Sequence, residues 1–403
     1  MRPLKSLISL GEAKELVRAN ISPIEKTEEI GIDMAVDRVL AEEVISSLDI
    51  PPYSRAAMDG YAVRAEDTFK AGKYKPVHLR CLDNVHAGEV PTVPVEEGCC
   101  IQIATGAMIP EGADAVMKVE NTEREEDDIM MFTPVYPGAY VSKMGEDVKE
   151  GAPVLSPGAY LVPSRVGVLA AIGRDRVKVY SRPRVSIVPT GDEVAPLGGE
   201  LRKGQVFDIN SHTLQSMIRE NGCEPVLHPI VKDEWDSLSS VLKEAATSSD
   251  MVVLSGGSSA GERDVLEDVI NEMGEMIFHG VQIKPGKPTI FAKVEGKPLF
   301  GMPGYPTSCL TNGYIFLVDA VRSMARLPKR EFKVVELPLG KRLMSQLGRD
   351  MFLTVAIRDG EVFPVFKESG TITSMAYADG WVMIPTNVDM IDKGVEVKVT
   401  IFQ

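Results

Sequence analysis

Between residues 184 and 327 the chain alternates short apolar runs with segments of helical length, and this rhythm most restricts what it can fold into. "RVSIVPTGDEV" reads as a strand and turn, "DINSHTLQSMIRENG" as a helix ending at Gly222, and "EPVLHPIV" as a strand. "EWDSLSSVLKEAATSS" follows as a helix and "DMVVLSGG" as a strand. "ERDVLEDVINEMG" is a helix whose apolar face is Val265, Leu266, Val269, Ile270 and Met273. "TIFAKVEGKPLFGMPG" reads as two strands about Glu295-Gly296, and "YPTSCLTNGYIFLVDAVRSMARL" as a long helix. Strands alternating with helices predict a mostly parallel sheet with helices on both faces.

The flanking sequence is different. Ser9 and Glu12 have capping-box spacing and open a helix to about Asn20. Residues 61–140 are rich in Gly, Pro and β-type runs and offer no convincing helix. Their acidic run, 123–128, reads as a solvated hairpin tip. Helical pattern returns over 149–179 and is expected to pack with the N-terminal helix, which makes the β region an insertion. After Pro328 the pattern is β again, with an Asp359-Gly360 hairpin turn. The expected fold is therefore multidomain α/β plus β. It comprises a discontinuous N-terminal α+β domain (1–50 and 141–182), an inserted β domain (51–140), a central doubly wound α/β domain (183–328) and a small C-terminal β domain (329–403).

The totals exclude some classes. With 44 Lys and Arg against 58 Asp and Glu, the net charge of −14 argues against general binding to nucleic acid or anionic membranes. No apolar run approaches the roughly 20 residues that span a bilayer. The start lacks the features of a signal peptide. Five cysteines without CxxC spacing read as reduced thiols in a cytoplasmic protein, and five dispersed histidines give a zinc site little support.

In an open α/β sheet, ligands bind beyond the carboxyl ends of the strands. Thr190, Gly191, Asp192 and Glu193 follow the first strand, Asp233 the second, Ser255, Gly256, Gly257, Ser258 and Ser259 the third, and Pro303, Gly304, Tyr305 and Pro306 the last. All should open onto one crevice. Small residues there give backbone N–H groups to phosphate. The acids beside them, Glu262 and Asp264 included, repel an anion unless a divalent cation or basic residues balance them. "IKPGKPT" supplies Lys284 and Lys287. Each turn alone could merely end a strand or cap a helix; four together favour a site. "SRAAMDGYA", with Asp59-Gly60, fits a functional loop and a linker equally well.

Taken in order, "PPYSRAAMDGYA", "IATGAMIPEGADAV", "GEDVKEG", "PTGDEV", "SGGSSAGERD", "IKPGKP" and "GMPGYPTS" cover nearly the whole chain. Together they resemble the MoeA family of molybdopterin molybdenumtransferases, also found as the E domain of gephyrin. The resemblance implies an enzyme of molybdenum cofactor biosynthesis that takes adenylylated molybdopterin, releases AMP with magnesium (Mg2+), and inserts molybdate or tungstate. It implies catalytic roles for Asp59, Asp147, Glu193, Asp233 and Asp264, with Glu193 and Asp264 at the metal. It places Thr105, Thr190, Gly191, the 255–259 turn, Pro303, Gly304 and Pro306 at the molybdopterin and its phosphate, and Lys284 and Lys287 at the oxyanion. It further implies a homodimer with its site at the interface, a separate molybdopterin adenylyltransferase, and molybdoenzyme or tungstoenzyme apoproteins as recipients. Two positions depart from many relatives and resemble an archaeal branch. Gly280 stands where a basic residue is common, its contact passing to His279 or Lys287, and Tyr305 stands where Asn is common. A non-catalytic pterin-binding scaffold is the alternative, and a nucleotide-processing hydrolase on the same α/β domain a third reading. Acids at every motif favour the transferase.

Overall fold

The computed structural model describes residues 7–256, 265–365 and 371–402. They form two compact units. One contains Glu29–Val36 and Leu40–Lys178; the other contains the chain up to Glu28, Asp37–Val39 and everything from Val179.

In the first unit six strands form one sheet: β1 (Gly60–Val63), β2 (Val77–Val85), β3 (Cys99–Ile103), β4 (Ala115–Lys118), β5 (Thr122–Glu125) and β6 (Asp128–Met131), in the order β4-β1-β3-β2-β6-β5. Alternation buries both faces. Tyr61, Val63, Cys100 and Met117 point into one apolar cluster, and Ala62, Ile101, Ile103 and Val116 into the other. The acidic run is the expected hairpin, with Glu126 at φ 55 in its tip. One α-helical turn, Ala65–Thr68, and one 3-10 turn, Val119–Asn121, interrupt the otherwise helix-free stretch. The first is held by Asp114, whose carboxylate accepts from the Ala65 N–H at 2.7 Å, a long-range contact that local composition cannot signal.

Residues 149–179 are less helical than their pattern suggests. A helix spans Pro163–Ala171, flanked by strands Pro153–Leu155 and Arg176–Tyr180. The N-terminal helix α1 (Leu10–Asn20), capped by Ser9 Oγ on the Glu12 N–H at 3.2 Å, packs elsewhere than expected. Ala13, Val17 and Ile21 are buried in the core of the second unit, against residues such as Val321 and Phe316. Its apolar stripe is short, and the large aliphatic face of the α/β layer offers more area to cover than the small helix at 163–171 does.

The second unit is built on a six-stranded sheet. Its elements are β7 (Arg184–Pro189), β8 (Val194–Ala195), β9 (Val206–Phe207), α2 (Asn210–Glu220), β10 (Glu224–Leu227), α3 (Trp235–Ser248), β11 (Met251–Ser255), α4 (Val265–Met273), β12 (Gly274–His279), β13 (Ile283–Lys284), β14 (Ile290–Val294) and β15 (Lys297–Met302). A long helix, α5, follows as Pro306–Asn312, a π-helical turn Gly313–Leu317, and Val318–Met324. The sheet order is β10-β7-β11-β15-β14-β12. The first four strands are parallel; β14 pairs antiparallel with β15 and β12. The Glu295-Gly296 turn, with φ of 50° and 74°, closes the β14–β15 hairpin and forces that reversal. Helices cover both faces. Val185, Ile187 and Val253 meet α1, α2 and α5, while Val188, Val252 and Leu254 meet α3 and α4.

A second sheet follows in the same unit, formed by β16 (Val334–Pro338), β17 (Asp350–Arg358), β18 (Glu361–Pro364), β19 (Gly380–Ile384) and β20 (Glu396–Ile401). The Asp359-Gly360 turn joins β17 to β18 as expected, with φ of 51° and 78°. The strand β13 pairs in parallel with β17, so Lys284 lies opposite Met351.

The α/β core centres on Phe291, Phe300 and Phe278, with ring centroids 4.7 Å apart for the first two and 5.8 Å between Phe278 and Phe291. Phe291→Ala removes a fully buried ring. Equilibrium denaturation should show a loss of about 3–5 kcal/mol in the transition of this unit; a loss below about 1 kcal/mol would contradict the packing described.

Candidate active site

The site begins with a register. Pro189 of β7 lies opposite Ser255 of β11, and Ser255 opposite Met302 of β15, so three parallel strands end level with one another. The chain beyond each end is tied to its neighbour. The Thr190 N–H donates to the Ser255 carbonyl at 2.9 Å, and the Gly256 N–H to the Met302 carbonyl at 3.2 Å. The Gly191 N–H donates to the Val231 carbonyl at 3.3 Å.

Two of these turns need glycine. Gly256 has φ 104, and a Cβ there would lie 2.3 Å from the Thr190 carbonyl oxygen. Gly191 has φ 129, and a Cβ would meet the Glu193 carboxylate oxygens at 2.8 and 3.0 Å, so that carboxylate lies over the turn. Gly304 is different: a Cβ would sit at an ordinary 3.7 Å from the Gly256 Cα. Of the four strand-end segments expected to share a crevice, three are represented here by Thr190, Gly191, Glu193, Ser255, Gly256, Pro303 and Gly304. Pro306 starts α5, and Asp233 stands exposed two residues beyond the Thr190–Val231 bridge.

Three residues beside the crevice escaped the sequence reading. Asn210 opens α2 and its Nδ2 donates to the Gly304 carbonyl at 2.9 Å, fastening the last turn. Asp208 Oδ1 accepts from the Ser211 N–H at 3.0 Å and caps that helix. The Thr190 hydroxyl, Asn210 Oδ1 and Ser211 hydroxyl are buried without a hydrogen-bond partner among the described residues. Unsatisfied buried oxygens are costly unless something binds them. The signal in "DINS" was present, but such residues at a helix start are the ordinary capping set and read as punctuation.

The lysines sit in a clamped loop. Asn312 Nδ2 donates to the Gly286 carbonyl at 3.1 Å and also meets the Thr289 hydroxyl. Gly286, at φ 101, has no room for a Cβ against Asn312. Lys284 and Lys287 flank it, half-buried. Asn312 is six residues into α5, about 9 Å along the axis from Pro306. One helix thus fixes both the lysine loop and the last cradle turn. His279 is engaged away from this loop, its Nδ1 3.5 Å from Glu267 Oε2.

In the other unit, Asp59 Oδ1 accepts from the Thr105 N–H at 2.6 Å and the Thr105 hydroxyl at 2.8 Å. The backbone bond first, then the hydroxyl, holds the exposed Asp59 carboxyl below its ordinary range. Asp147 is exposed on a loop tied to the signature segment: its N–H donates to the Ile50 carbonyl at 3.0 Å, and the Met144 N–H to Ser54 Oγ at 3.2 Å. Gly257, Ser258, Ser259 and Asp264 lie outside the described residues, as do Glu262 and Arg263. Among the described residues no three His, Cys, Asp or Glu side chains converge as a metal site. Thr190 Oγ1 and the Glu193 carboxylate are nonetheless hard oxygen donors at one turn, of the kind a magnesium ion accepts.

Comparison with known proteins agrees with this layout. Residues 8–173 match the MoeA N-terminal region (domain I and II), 186–323 a probable molybdopterin binding domain, and 336–402 the MoeA C-terminal region (domain IV). Fold and site thus define a multidomain protein of molybdenum cofactor biosynthesis, built around an α/β domain of the molybdopterin-binding type. A putative molybdopterin biosynthesis protein of Methanocaldococcus jannaschii is 34% identical over 98% of both chains. A molybdopterin molybdenumtransferase of Nostoc is 32% identical over 93% of this chain and 88% of the other. A solved structure of the molybdopterin biosynthesis moeA protein from Pyrococcus horikosii has a TM-score of 0.85 and 40% identity, covering 99% of this chain and 100% of the other. The chain belongs to the MoeA family, whose named members are transferases.

Gly256→Ala should cost at least about 2 kcal/mol in denaturation, because its Cβ strikes backbone at a left-handed φ, while Gly304→Ala should lie within about 0.5 kcal/mol of the parent. Equal effects would refute the close approach of the two turns. A second outcome concerns pH. Because Asp59 is depressed, its favourable contribution is present at neutral pH and is lost as pH falls through its folded-state pKa. Thr105→Val keeps the N–H and deletes the hydroxyl bond, so the Asp59 midpoint in a carboxyl 13C titration should move part of the way up toward about 3.9. An unmoved midpoint would show that the hydroxyl does not act on Asp59.

Proposed function

We propose that the chain is the transferase that inserts an oxyanion-borne metal, molybdate or tungstate, into adenylylated molybdopterin with release of AMP. The observation that supports this most is the set of buried oxygens of Thr190, Asn210 and Ser211, unpartnered among the described residues, around three level strand ends. Such a wall suits a phosphate-bearing, hydroxyl-rich ligand.

The residues divide the work by charge. The phosphate end of the pterin sits against the turns after β7, β11 and β15 and takes hydrogen bonds from the Thr190 and Ser211 hydroxyls, since the Thr190, Gly191 and Gly256 N–H groups are already bonded to carbonyls. Lys284 and Lys287, clamped by Asn312, attract the tetrahedral dianion. Water adds to the adenylate phosphorus, the bond to the pterin phosphate oxygen breaks, and AMP departs with the oxygen of that water. Asp59, kept ionised by Thr105, is fitted to accept a hydrogen bond from water and orient it, the proton passing to solvent; by the family resemblance Asp147 and Asp233 serve as further acids of the reaction. When bound, Mg2+ would supply positive charge against the phosphate oxygens; Glu193 and the Thr190 hydroxyl would hold it, and the family resemblance adds Asp264, which lies outside the described residues. A separate adenylyltransferase supplies the substrate, apo-molybdoenzymes or apo-tungstoenzymes take the product, and the working form is a cytoplasmic homodimer. No helix among the described residues is long and apolar enough to cross a membrane.

The test is AMP release from adenylylated molybdopterin with magnesium and either oxyanion. The parent should release AMP, and Asp59→Asn should release it at least about a hundredfold more slowly while still binding substrate. Binding without AMP release by the parent would instead establish the non-catalytic carrier. Light scattering at micromolar concentration should give twice the chain mass; a monomer would count against the assembly.

A further inference from the structure

A cavity of about 250 Å³ lies between α1 and the second half of α5, on residues that the proposed reaction does not use. Its floor is apolar: Val17 and Ile21 from α1, Ile315, Phe316 and Leu327 from α5 and the segment after it. Its walls carry four cations, Lys14, Arg18, Arg322 and Lys329, against one carboxylate, Asp319. On a chain whose net charge is −14, a positive cavity of this composition is a local reversal of sign. It is remote from the cradle. Asp319 follows Pro306 by thirteen residues, about 20 Å along the helix.

Two features mark it as built to receive a ligand. The π-helical turn Gly313–Leu317 presents Ile315 and Phe316 to the floor, and such turns are uncommon and recur at functional sites. The Arg322 guanidinium is fixed before any ligand arrives, its Nε donating to the Pro328 carbonyl at 2.8 Å. Burial lowers the Lys14 pKa most; Asp319 opposes it, Lys329 and Arg18 lower it further, and Asp350 opposes them, so an added negative charge would favour the charged Lys14.

We propose that this cavity is a second ligand site, specific for a small organic anion: one carboxylate or phosphate head among Lys14, Arg18, Arg322 and Lys329, and a short apolar body on the Val17–Phe316 floor. The body fills the space over the apolar floor, and the head answers the surplus of positive charge on the walls. The volume lies below the roughly 300–1,000 Å³ of pockets for drug-sized ligands, which limits the body to a short chain or a single ring.

Titration calorimetry on the full chain tests it with octanoate, octylamine and inorganic phosphate. Octanoate should bind saturably, one molecule per chain, at least about tenfold more tightly than octylamine, which has the same body and the opposite charge, and than phosphate, which has only the head. Arg18→Glu with Lys329→Glu, both exposed, should weaken octanoate by at least about tenfold and leave AMP release and the unliganded melting temperature unchanged. Should that pair fail to fold, Arg18→Gln with Lys329→Gln keeps the test. Equal binding of octanoate and octylamine, no saturable octanoate binding, or an unchanged variant overturns the proposal.

Discussion

The close approach of Gly256 to the Thr190 carbonyl is the constraint on which the site depends. It is possible only because Pro189, Ser255 and Met302 end in register, and it works only with glycine at a left-handed φ. From that contact the rest follows outward. The Gly304 turn can lie beside Gly256, Asn210 can reach the Gly304 carbonyl, and α5 can start at Pro306 with its N-terminus at the crevice. Asn312, on the same helix, then clamps the lysine loop. A parallel sheet makes this economical, since each strand end arrives at the same edge and needs one turn to contribute.

Electrostatics explains how acids can crowd the phosphate site proposed above. Glu193 lies over Gly191, where a bare phosphate would repel it, and a hydroxyl with no partner among the described residues sits at the neighbouring Thr190. A carboxylate and a hydroxyl together suit a hard cation between them and the phosphate. Among the described residues Lys284 and Lys287 form no ion pair, which leaves their charge to attract the oxyanion. Asp59 is handled otherwise. Two hydrogen bonds from Thr105 stabilise its charge without any cation, leaving an exposed carboxylate that is ionised at every physiological pH.

Much of this was legible in the sequence because it is local. The β/α alternation, the Glu295-Gly296 and Asp359-Gly360 hairpins, and the Ser9 cap depend on neighbours within a few residues. The glycine turns at strand ends were legible too, because strand position fixes where such a turn must point. What was missed depends on distant partners. The placement of α1 against α5 is decided by which apolar face is larger, not by anything in "GEAKELVRAN". The one-turn helix at Ala65 exists through Asp114, 49 residues away. Asn210 looked like a helix cap because capping and ligand binding draw on the same side chains. The reversal at β14 was half visible: its hairpin was read, but its effect on the parallel sheet was not drawn from it.

The claim that the level strand ends form the phosphate cradle can be tested by hydrogen–deuterium exchange, comparing the free protein with the protein saturated by adenylylated molybdopterin in the absence of oxyanion. Protection should appear in peptides covering residues 190–194 and 303–306, with the Pro163–Ala171 helix unaffected. Tight binding that protects neither strand-end segment would contradict the account at its foundation.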